Sequence, residues 1–233
     1  MEKGNGIIGG TMKALAIVSG GMDSITMLYN FQHEIGRVLS FHYGSRHNEK
    51  ELPLAKKHAE RLGLPHEVVS LEFVGRAFKS ALLASSESAI PDGHYADPVM
   101  KQTVVPFRNG IMLSIAAGYA ESQELDTVMY ASHFGDHAIY PDCRKDFVDA
   151  MGQAIERGTY AGIKLLAPYG AKTKRDIALV GRELGIDYQE TWSCYKGDSR
   201  HCGICGTCVE RREALDGFDT TEYQASEEVT HGL

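Results

Sequence analysis

The sequence predicts an α/β fold in which a parallel sheet is flanked by helices, of the Rossmann-like kind. Short apolar runs alternate with segments of helical periodicity through the first half of the chain. A glycine turn follows the first apolar run directly, and a polar cluster follows a later one. Parallel strands need helical crossovers, so this alternation favours a sheet covered on both faces.

Each element has its own signal. Apolar or β-branched runs predict strands at 13–18, 37–43, 66–71, 127–131 and 163–167. Apolar residues at helical spacing predict helices at 25–31, 49–62, 109–121, 145–157 and 173–184. Thr173 and Asp176 have capping-box spacing, which marks the start of the last of these helices. Residues 85–103 are rich in Ser, Pro, Asp and Gly and predict a long loop.

Composition limits the class of protein. The chain has 233 residues, of which 43% are hydrophobic, enough for one sizeable core. Acidic residues outnumber basic ones by 31 to 24, which argues against nucleic acid as a partner. No apolar run approaches the roughly 20 residues that span a bilayer, and the N-terminus does not resemble a signal peptide, so we expect a cytoplasmic protein. We expect a flexible extension at 1–12, a main domain at 13–190, a metal-binding cysteine element with a C-terminal helix at 191–215 and a frayed acidic tail at 216–233.

The glycine turn, Ser19 to Ser24, predicts an anion site. Its two glycines let the backbone approach an anion, and the following helix offers free N–H groups. Asp23 is unusual beside an anion and suggests a Mg²⁺ contact. A plain turn, with Asp23 or Ser24 capping the helix, is the structural alternative.

Four clustered cysteines predict a metal site. The pattern C-x7-C-x2-C-x2-C supplies the tetrahedral sulfur set that Zn²⁺ prefers, and a closed four-thiolate site is structural. An iron–sulfur cluster is the main competitor. His201 is expected to be a neighbour of the site and not a ligand. The four cysteines are Cys194, Cys202, Cys205 and Cys208.

Three further groups of polar residues follow predicted strands or begin predicted helices. Asn109 is expected to cap its helix, and Arg108 beside it suits a phosphate. Residues 133–144 are dense in His, Asp, Tyr and Arg and predict a substrate pocket. Lys174 at a helix N-terminus is electrostatically misplaced, which suggests a phosphate partner. Arg46 either faces the nucleotide or lies in an exposed loop.

The motifs SGGMDS, HYGSRH, VPFRN and GDHAIYPDCR and the cysteine cluster occur in an order that resembles the 7-cyano-7-deazaguanine synthase (QueC) family. SGGMDS by itself resembles the PP-loop of the N-type ATP pyrophosphatases. The resemblance implies a PP-loop fold of the HUP type, with ATP, Mg²⁺ and one structural Zn²⁺ as ligands. It implies conversion of 7-carboxy-7-deazaguanine and ammonia to the nitrile by two successive adenylations, each releasing AMP and pyrophosphate.

The resemblance implies the extent of the ATP loop, and the chemistry and position of individual side chains suggest the other roles. Asp23, Arg108 and Lys174 are the candidate catalytic residues. The ATP loop would comprise Val18, Ser19, Gly20, Gly21, Met22, Asp23, Ser24, Ile25, Thr26, Met27 and Leu28. The candidate substrate contacts are Arg46, Asp136, Tyr140, Asp142 and Arg144.

Two alternatives remain open at this stage. A PP-loop tRNA sulfurtransferase shares the glycine turn, although it would need a catalytic cysteine pair and a basic surface. A non-catalytic relative that binds zinc and nucleotide is the other. For the synthase interpretation, a homodimer is one possible assembly.

Overall fold

The computed structural model describes residues 13–94, 98–133 and 139–224, and the elements below are those within these ranges. The strands are β1 (Ala14–Ile17), β2 (Ile35–His42), β3 (His66–Ser70), β4 (Thr127–Tyr130) and β5 (Lys164–Leu166). The α-helices are α1 (Met22–Asn30), α2 (Asn48–Arg61), α3 (Glu72–Ala77), α4 (Arg108–Ser122), α5 (Lys145–Gly158), α6 (Lys174–Glu183) and α7 (Gly206–Ala214). Short 3-10 helices lie at Pro98–Thr103, Pro141–Cys143 and Tyr188–Glu190.

The five strands form one parallel sheet in the order β3-β2-β1-β4-β5. The predicted α/β class is therefore confirmed. The chain moves outward from β1 to β3 and then returns to the other side of β1 for β4. The strand order reverses between β1 and β4, and in open α/β sheets this reversal leaves a crevice at the carboxyl ends of the strands.

Alternating side chains of β1 pack into two apolar layers. Ala14 and Ala16 belong to a buried cluster with residues of α1, α2 and α6. Leu15 points the other way, into a cluster with residues of α4 and α5. Both faces of the sheet are buried, which explains why β1 is a continuous apolar run.

The helix starts follow local chemistry in one case and tertiary contacts in another. The predicted capping box of α6 is present: the Asp176 N–H donates to Thr173 Oγ1, and the Thr173 N–H donates to Asp176 Oδ2 at 2.9 Å. The prediction that Asn109 caps α4 is wrong. Phe107 occupies the N-cap position with φ +53°, and the Asn109 backbone N–H donates to Asp142 Oδ2 at 2.8 Å.

Two segments differ from the prediction. Helix α3 was not predicted, because it is only six residues long and contains Gly75. A Cβ at Gly75 would lie 3.3 Å from the Gly44 Cα, so the glycine permits a close backbone approach. The predicted loop at 85–103 contains the 3-10 helix Pro98–Thr103, and its residues 95–97 lie outside the described residues.

The chain after Asp216 was expected to fray, but its described part is packed. Thr221 accepts a hydrogen bond from the Arg211 guanidinium at 2.9 Å, and Tyr223 pairs with His201. Residues 1–12 and 225–233, which comprise the predicted extension and the second half of the tail, lie outside the described residues. In the part that is described, no helix has the length and apolar character needed to cross a membrane.

Candidate active site and metal centre

A cleft of about 290 Å³ opens where the strand order reverses. Its floor is formed by residues that follow β1 and β4, including Ser19 and Ser132. Helices α2, α4, α6 and α7 supply its walls through Glu51, Arg108, Lys174 and Glu210, among others. The sheet therefore places the predicted glycine turn and two of the predicted cations in one cavity.

The Ser24 hydroxyl holds the glycine turn together. Its oxygen lies 3.2 Å from the Ser19 nitrogen and 3.3 Å from the Gly20 nitrogen, and its proton can go to the Gly21 carbonyl at 3.0 Å. The N-cap of α1 is Gly21, and no side chain caps that helix. The alternative that Asp23 or Ser24 serves as the side-chain cap is therefore wrong.

Gly20 cannot be replaced without moving the turn. Its φ is +101°, and a Cβ there would lie 2.1 Å from the Glu51 carbonyl oxygen. Only glycine combines that conformation with that contact. The turn is thus packed directly against α2.

The predicted ATP loop divides into a cleft-lining part and a buried part. Val18, Ser19, Gly21, Met22, Asp23 and Ser24 line the cleft. Ile25, Met27 and Leu28 have no exposed surface and belong to the apolar core beneath α1. The Thr26 hydroxyl is also buried and donates to the Met22 carbonyl at 2.7 Å. The turn of α1 beyond Ser24 therefore supports the site and does not line it.

Lys174 lies between two carboxylates. Its Nζ is 3.3 Å from Asp23 Oδ2 and 2.9 Å from Glu210 Oε2, and all three side chains are at most 18% exposed. Burial disfavours the ammonium, but Asp23 and Glu210 outweigh this and raise the Lys174 pKa. The charge that was misplaced at the start of α6 is balanced by these partners. Asp23 Oδ1 is buried and has no hydrogen-bond partner among the described residues.

His133 approaches the same carboxylate oxygen of Asp23 as Lys174 does. Its Nε2 is 4.0 Å from Asp23 Oδ2. Burial, and then the charge of Lys174, lower the His133 pKa. A neutral imidazole therefore faces the carboxylate.

Arg108, the first residue of α4, enters the cleft beside an aromatic ring. Its Nη1 donates to the Tyr43 hydroxyl at 3.2 Å, and its guanidinium carbon lies 5.6 Å from the centre of the Tyr43 ring. His47 is hydrogen-bonded to the same hydroxyl at 3.3 Å. Burial, with Arg108 nearby, lowers the His47 pKa to about 3, so this histidine is neutral.

Glu51 is the third carboxylate of the cleft. Its Oε2 lies 3.7 Å from His47 Nε2, and its side chain is 14% exposed. Burial raises the Glu51 pKa to about 8 even though Arg108 acts in the opposite direction. Of the described cleft residues, it is the carboxylate without a Lys or Arg ion pair.

The predicted substrate residues after β4 have different surroundings. Tyr140 lines the cleft, and its hydroxyl is hydrogen-bonded to Thr103. Asp142 is buried and accepts a hydrogen bond at the start of α4, so it does not line the cleft. Arg144 is exposed and also lies outside the cleft lining. Asp136 lies outside the described residues.

Arg46 is also directed away from the cleft. Its guanidinium donates to the carbonyls of Ala81, Ser86 and Ser88. It fastens the segment that follows α3, whereas His47 beside it lines the cavity. Of the two possibilities for Arg46, contact with the nucleotide is therefore not supported.

Cys143 lines the cleft but is poorly suited to be a nucleophile. It accepts a hydrogen bond from Asn109 Nδ2 at 3.2 Å. Burial raises its pKa to about 11, so the thiol is protonated near neutral pH.

The four clustered cysteines converge on one point. Their sulfur atoms all lie within 4.8 Å of one another, and all four side chains are buried. Sulfurs that share a tetrahedral zinc ion are ~3.8 Å apart, given Zn–S bonds of ~2.3 Å. Cys202 Sγ and Cys208 Sγ are 3.9 Å apart. The cluster fits a metal ion, whereas His201 Nε2 accepts a hydrogen bond from the Ser193 N–H and is not part of it.

Several cleft residues gave no signal in the sequence. Glu51 and Glu210 each lie on a polar helix with other acidic residues, a pattern that usually marks a solvent-facing side. Tyr195 and Trp192 adjoin the cysteine cluster in sequence but also line the cleft. The metal element and the cleft therefore share residues, which spacing alone did not reveal.

Comparisons with known proteins agree with this architecture. The family model for the queuosine biosynthesis protein QueC matches residues 13–219. The chain is 56% identical over 214 residues to a 7-cyano-7-deazaguanine synthase of Porphyromonas gingivalis, covering 91% of this chain and 97% of that protein. It is 47% identical over 215 residues to the 7-cyano-7-deazaguanine synthase of Desulfotalea psychrophila, covering 90% and 98%.

Among solved structures, a 4-thiouridine synthetase in complex with RNA and ATP shares the fold. The TM-score is 0.50 with 17% sequence identity, over 77% of this chain and 42% of that one. A likeness at this identity concerns the fold alone. The family match covers nearly all described residues, and the two relatives are similar over nearly their whole length. The chain belongs to the QueC family of queuosine biosynthesis proteins.

Proposed function

We propose that this protein converts 7-carboxy-7-deazaguanine and ammonia to 7-cyano-7-deazaguanine, with ATP cleaved to AMP and pyrophosphate. The observation that carries the proposal is the Asp23–Lys174–Glu210 cluster beside the glycine turn, in a member of this family. A carboxylate is a poor electrophile for ammonia, so it must first be activated. The adenylate of the acid would react with ammonia to give the amide, and the adenylate of the amide would lose AMP to give the nitrile.

The glycine turn and the cations would bind the nucleotide. Free N–H groups at the start of α1 would face the phosphates, with Lys174 and Arg108 neutralising charge that develops as pyrophosphate departs. Arg108 would also suit the substrate carboxylate, because guanidinium binds carboxylate with two parallel hydrogen bonds. Lys174 would exchange its contact with Asp23 for a phosphate oxygen.

Asp23 would hold Mg²⁺. Its unpartnered Oδ1 is a buried carboxylate oxygen, which is costly unless a donor or cation satisfies it. The ion would neutralise polyphosphate charge. Asp23, through the ion, and Lys174, directly, would then both act on the phosphates.

The substrate contacts are proposed from the cleft lining. Tyr140 and Arg108 are in position to face the deazapurine or its carboxylate. Asp136 stays a predicted substrate contact. Asp142, Arg144 and Arg46 are not included, because their side chains lie elsewhere.

The cysteine cluster would hold one structural Zn²⁺. Four buried sulfurs leave no open position for substrate, which supports a structural role. An iron–sulfur cluster is the alternative for the same sulfur set.

We further propose a cytoplasmic enzyme that acts on a small molecule without nucleic acid, as a monomer or homodimer.

The function is tested by incubating the protein with ATP, Mg²⁺, ammonium and 7-carboxy-7-deazaguanine and following products by mass spectrometry. Formation of the nitrile with AMP supports the proposal. ADP in place of AMP, or no turnover, would contradict it, and no turnover would favour the non-catalytic relative. The sulfurtransferase alternative is disfavoured by the protonated Cys143 thiol.

A further inference from the structure

Nitrile formation requires bases as well as phosphate ligands. When ammonia attacks the acyl adenylate, nitrogen must lose a proton before AMP leaves, or ammonia is expelled again. In the second round both N–H bonds of the amide must break to give C≡N. One proton is lost when the neutral imidate forms, and the other as the C–O bond to AMP breaks. The cleft must therefore contain a proton acceptor near the reacting nitrogen.

Four titratable groups in the cleft are unsuited to this task. Asp23 and Glu210 are held by the Lys174 ammonium. The pKa of His47, about 3, makes it a weak base. Cys143 keeps its proton near neutral pH.

Glu51 has the required placement. It lines the cleft from α2, and its Oε1 would lie 3.8 Å from a Cβ built on Gly21. Its backbone carbonyl abuts Gly20, which fixes α2 against the turn. The carboxylate is thus held beside the predicted phosphate site without a cation of its own.

The groups around Glu51 are consistent with proton transfer near neutral pH. His47, the N-cap of the same helix, is neutral, and Arg108 from α4 lowers the Glu51 pKa less than burial raises it. Asp23 and Lys174 line the same cleft as a pair of opposite charges. The resulting pKa of about 8 lies close to the working pH expected of a general base.

We propose that Glu51 is a catalytic residue that accepts the N–H proton at the nitrogen-centred steps of the reaction. In the elimination, the N–H electron pair becomes the third C–N bond, the C–O bond breaks toward AMP and the proton passes to a carboxylate oxygen of Glu51. The proton then returns to solvent between rounds. This inference rests on the proposed function.

The test separates nitrogen chemistry from nucleotide chemistry. In Glu51→Gln, exchange of labelled pyrophosphate into ATP, driven by the acid without ammonia, should stay within about threefold of wild type. Conversion of the purified amide to nitrile should fall at least about 100-fold, the usual contribution of a general base. The rate of amide conversion by the wild type should rise with pH up to about 8. This rise with pH should be absent in the variant.

Two further variants serve as controls for folding and for the position of the carboxylate. Glu49→Gln changes an exposed carboxylate two residues away on the same helix and should leave both reactions unchanged. Glu51→Asp keeps a carboxylate, so its rate of amide conversion should again rise with pH and reach part of the wild-type value. Equal loss of exchange and amide conversion, or amide conversion by Glu51→Gln within about threefold of wild type, would overturn the assignment. If wild type converts neither acid nor amide, the proposed function has failed.

Discussion

The ammonium of Lys174 lies 3.3 Å from Asp23 Oδ2. Asp23 lies in the first turn of α1 and Lys174 is the first residue of α6, so the two residues are far apart in the sequence. This pair joins the glycine turn to α6 and concentrates opposite charges where the nucleotide is expected. A buried ion pair of this kind is costly to desolvate and adds little stability. Its position therefore favours a functional role.

We expect Asp23→Ala to abolish pyrophosphate release while the protein stays folded. Lys174 retains Glu210 as a partner, so the ammonium is not left unpaired. Loss of the proposed Mg²⁺ contact should lower the rate by about 100-fold or more. Pyrophosphate release and circular dichroism check the two halves of the prediction. The exposed Asp149→Ala serves as control, and release near the wild-type rate in Asp23→Ala would contradict the assigned role.

We expect Cys205→Ala to lose the metal and destabilise the fold together. The protein should contain about one Zn²⁺ per chain, and the variant close to none, because site formation and folding are coupled. Elemental analysis and thermal unfolding measure both effects. Cys143→Ala lies outside the cluster and should retain the metal. Iron with visible absorbance, or folded metal-free wild type, would show that the zinc assignment is wrong.

We expect about two AMP and two pyrophosphate per nitrile, because acid and amide are each adenylated once in the proposed chemistry. The described cleft contains one glycine turn, so Arg108 and Lys174 would serve both rounds. The purified amide with ATP and Mg²⁺, but without ammonia, should give the nitrile and one AMP. An inert amide, under conditions where the acid turns over, would rule out sequential activation.

We expect Asp142→Ala to affect stability and not substrate affinity. The variant removes the acceptor of the Asn109 N–H and a negative charge at the start of α4. The free energy of unfolding should fall by about 1–2 kcal/mol, as for other lost helix caps. The KM for the acid should stay within roughly twofold of the wild-type value, because Asp142 does not line the cleft. Loss of a substrate contact would instead raise KM. A large rise in KM with unchanged stability would restore the substrate role that the sequence suggested.

Glu51 should also make stability depend on pH. Its folded pKa of about 8 lies above the unfolded value of 4.5, so unfolding releases a proton between these values. Stability must therefore fall as pH rises through this window and level off above about 8. Glu51→Gln should be more stable than wild type at pH 8.5 by about 1–3 kcal/mol and closer to it at pH 6. Urea unfolding at both pH values measures the free energies of unfolding. An equal stability difference between the variant and the wild type at both pH values would contradict the prediction.

Features with local signals were predictable from the sequence. The sheet, the capping box at Thr173 and the cysteine cluster depend on residue spacing within one element or one turn. The glycine turn was also recognisable, because two adjacent glycines after a strand have few other uses. The class of site and its place in the fold followed from these features together.

Features that depend on side-chain direction were not predictable. Arg46 and His47 are neighbours in sequence, yet one holds a loop and the other lines the cleft. Asp142 caps a helix that precedes it in the chain, which no local pattern encodes. Glu51 and Glu210 look like solvent-facing residues until tertiary packing covers them.

Helix α7 has Cys205 as its N-cap, and its fifth residue, Glu210, pairs with Lys174. The cleft therefore remains incomplete until a segment translated after all five strands has folded and its thiols have converged. A nascent chain with a finished sheet would already possess the glycine turn but not the last carboxylate. If the protein cleaves ATP as proposed, this activity would therefore arise only after α7 has folded against the rest of the chain.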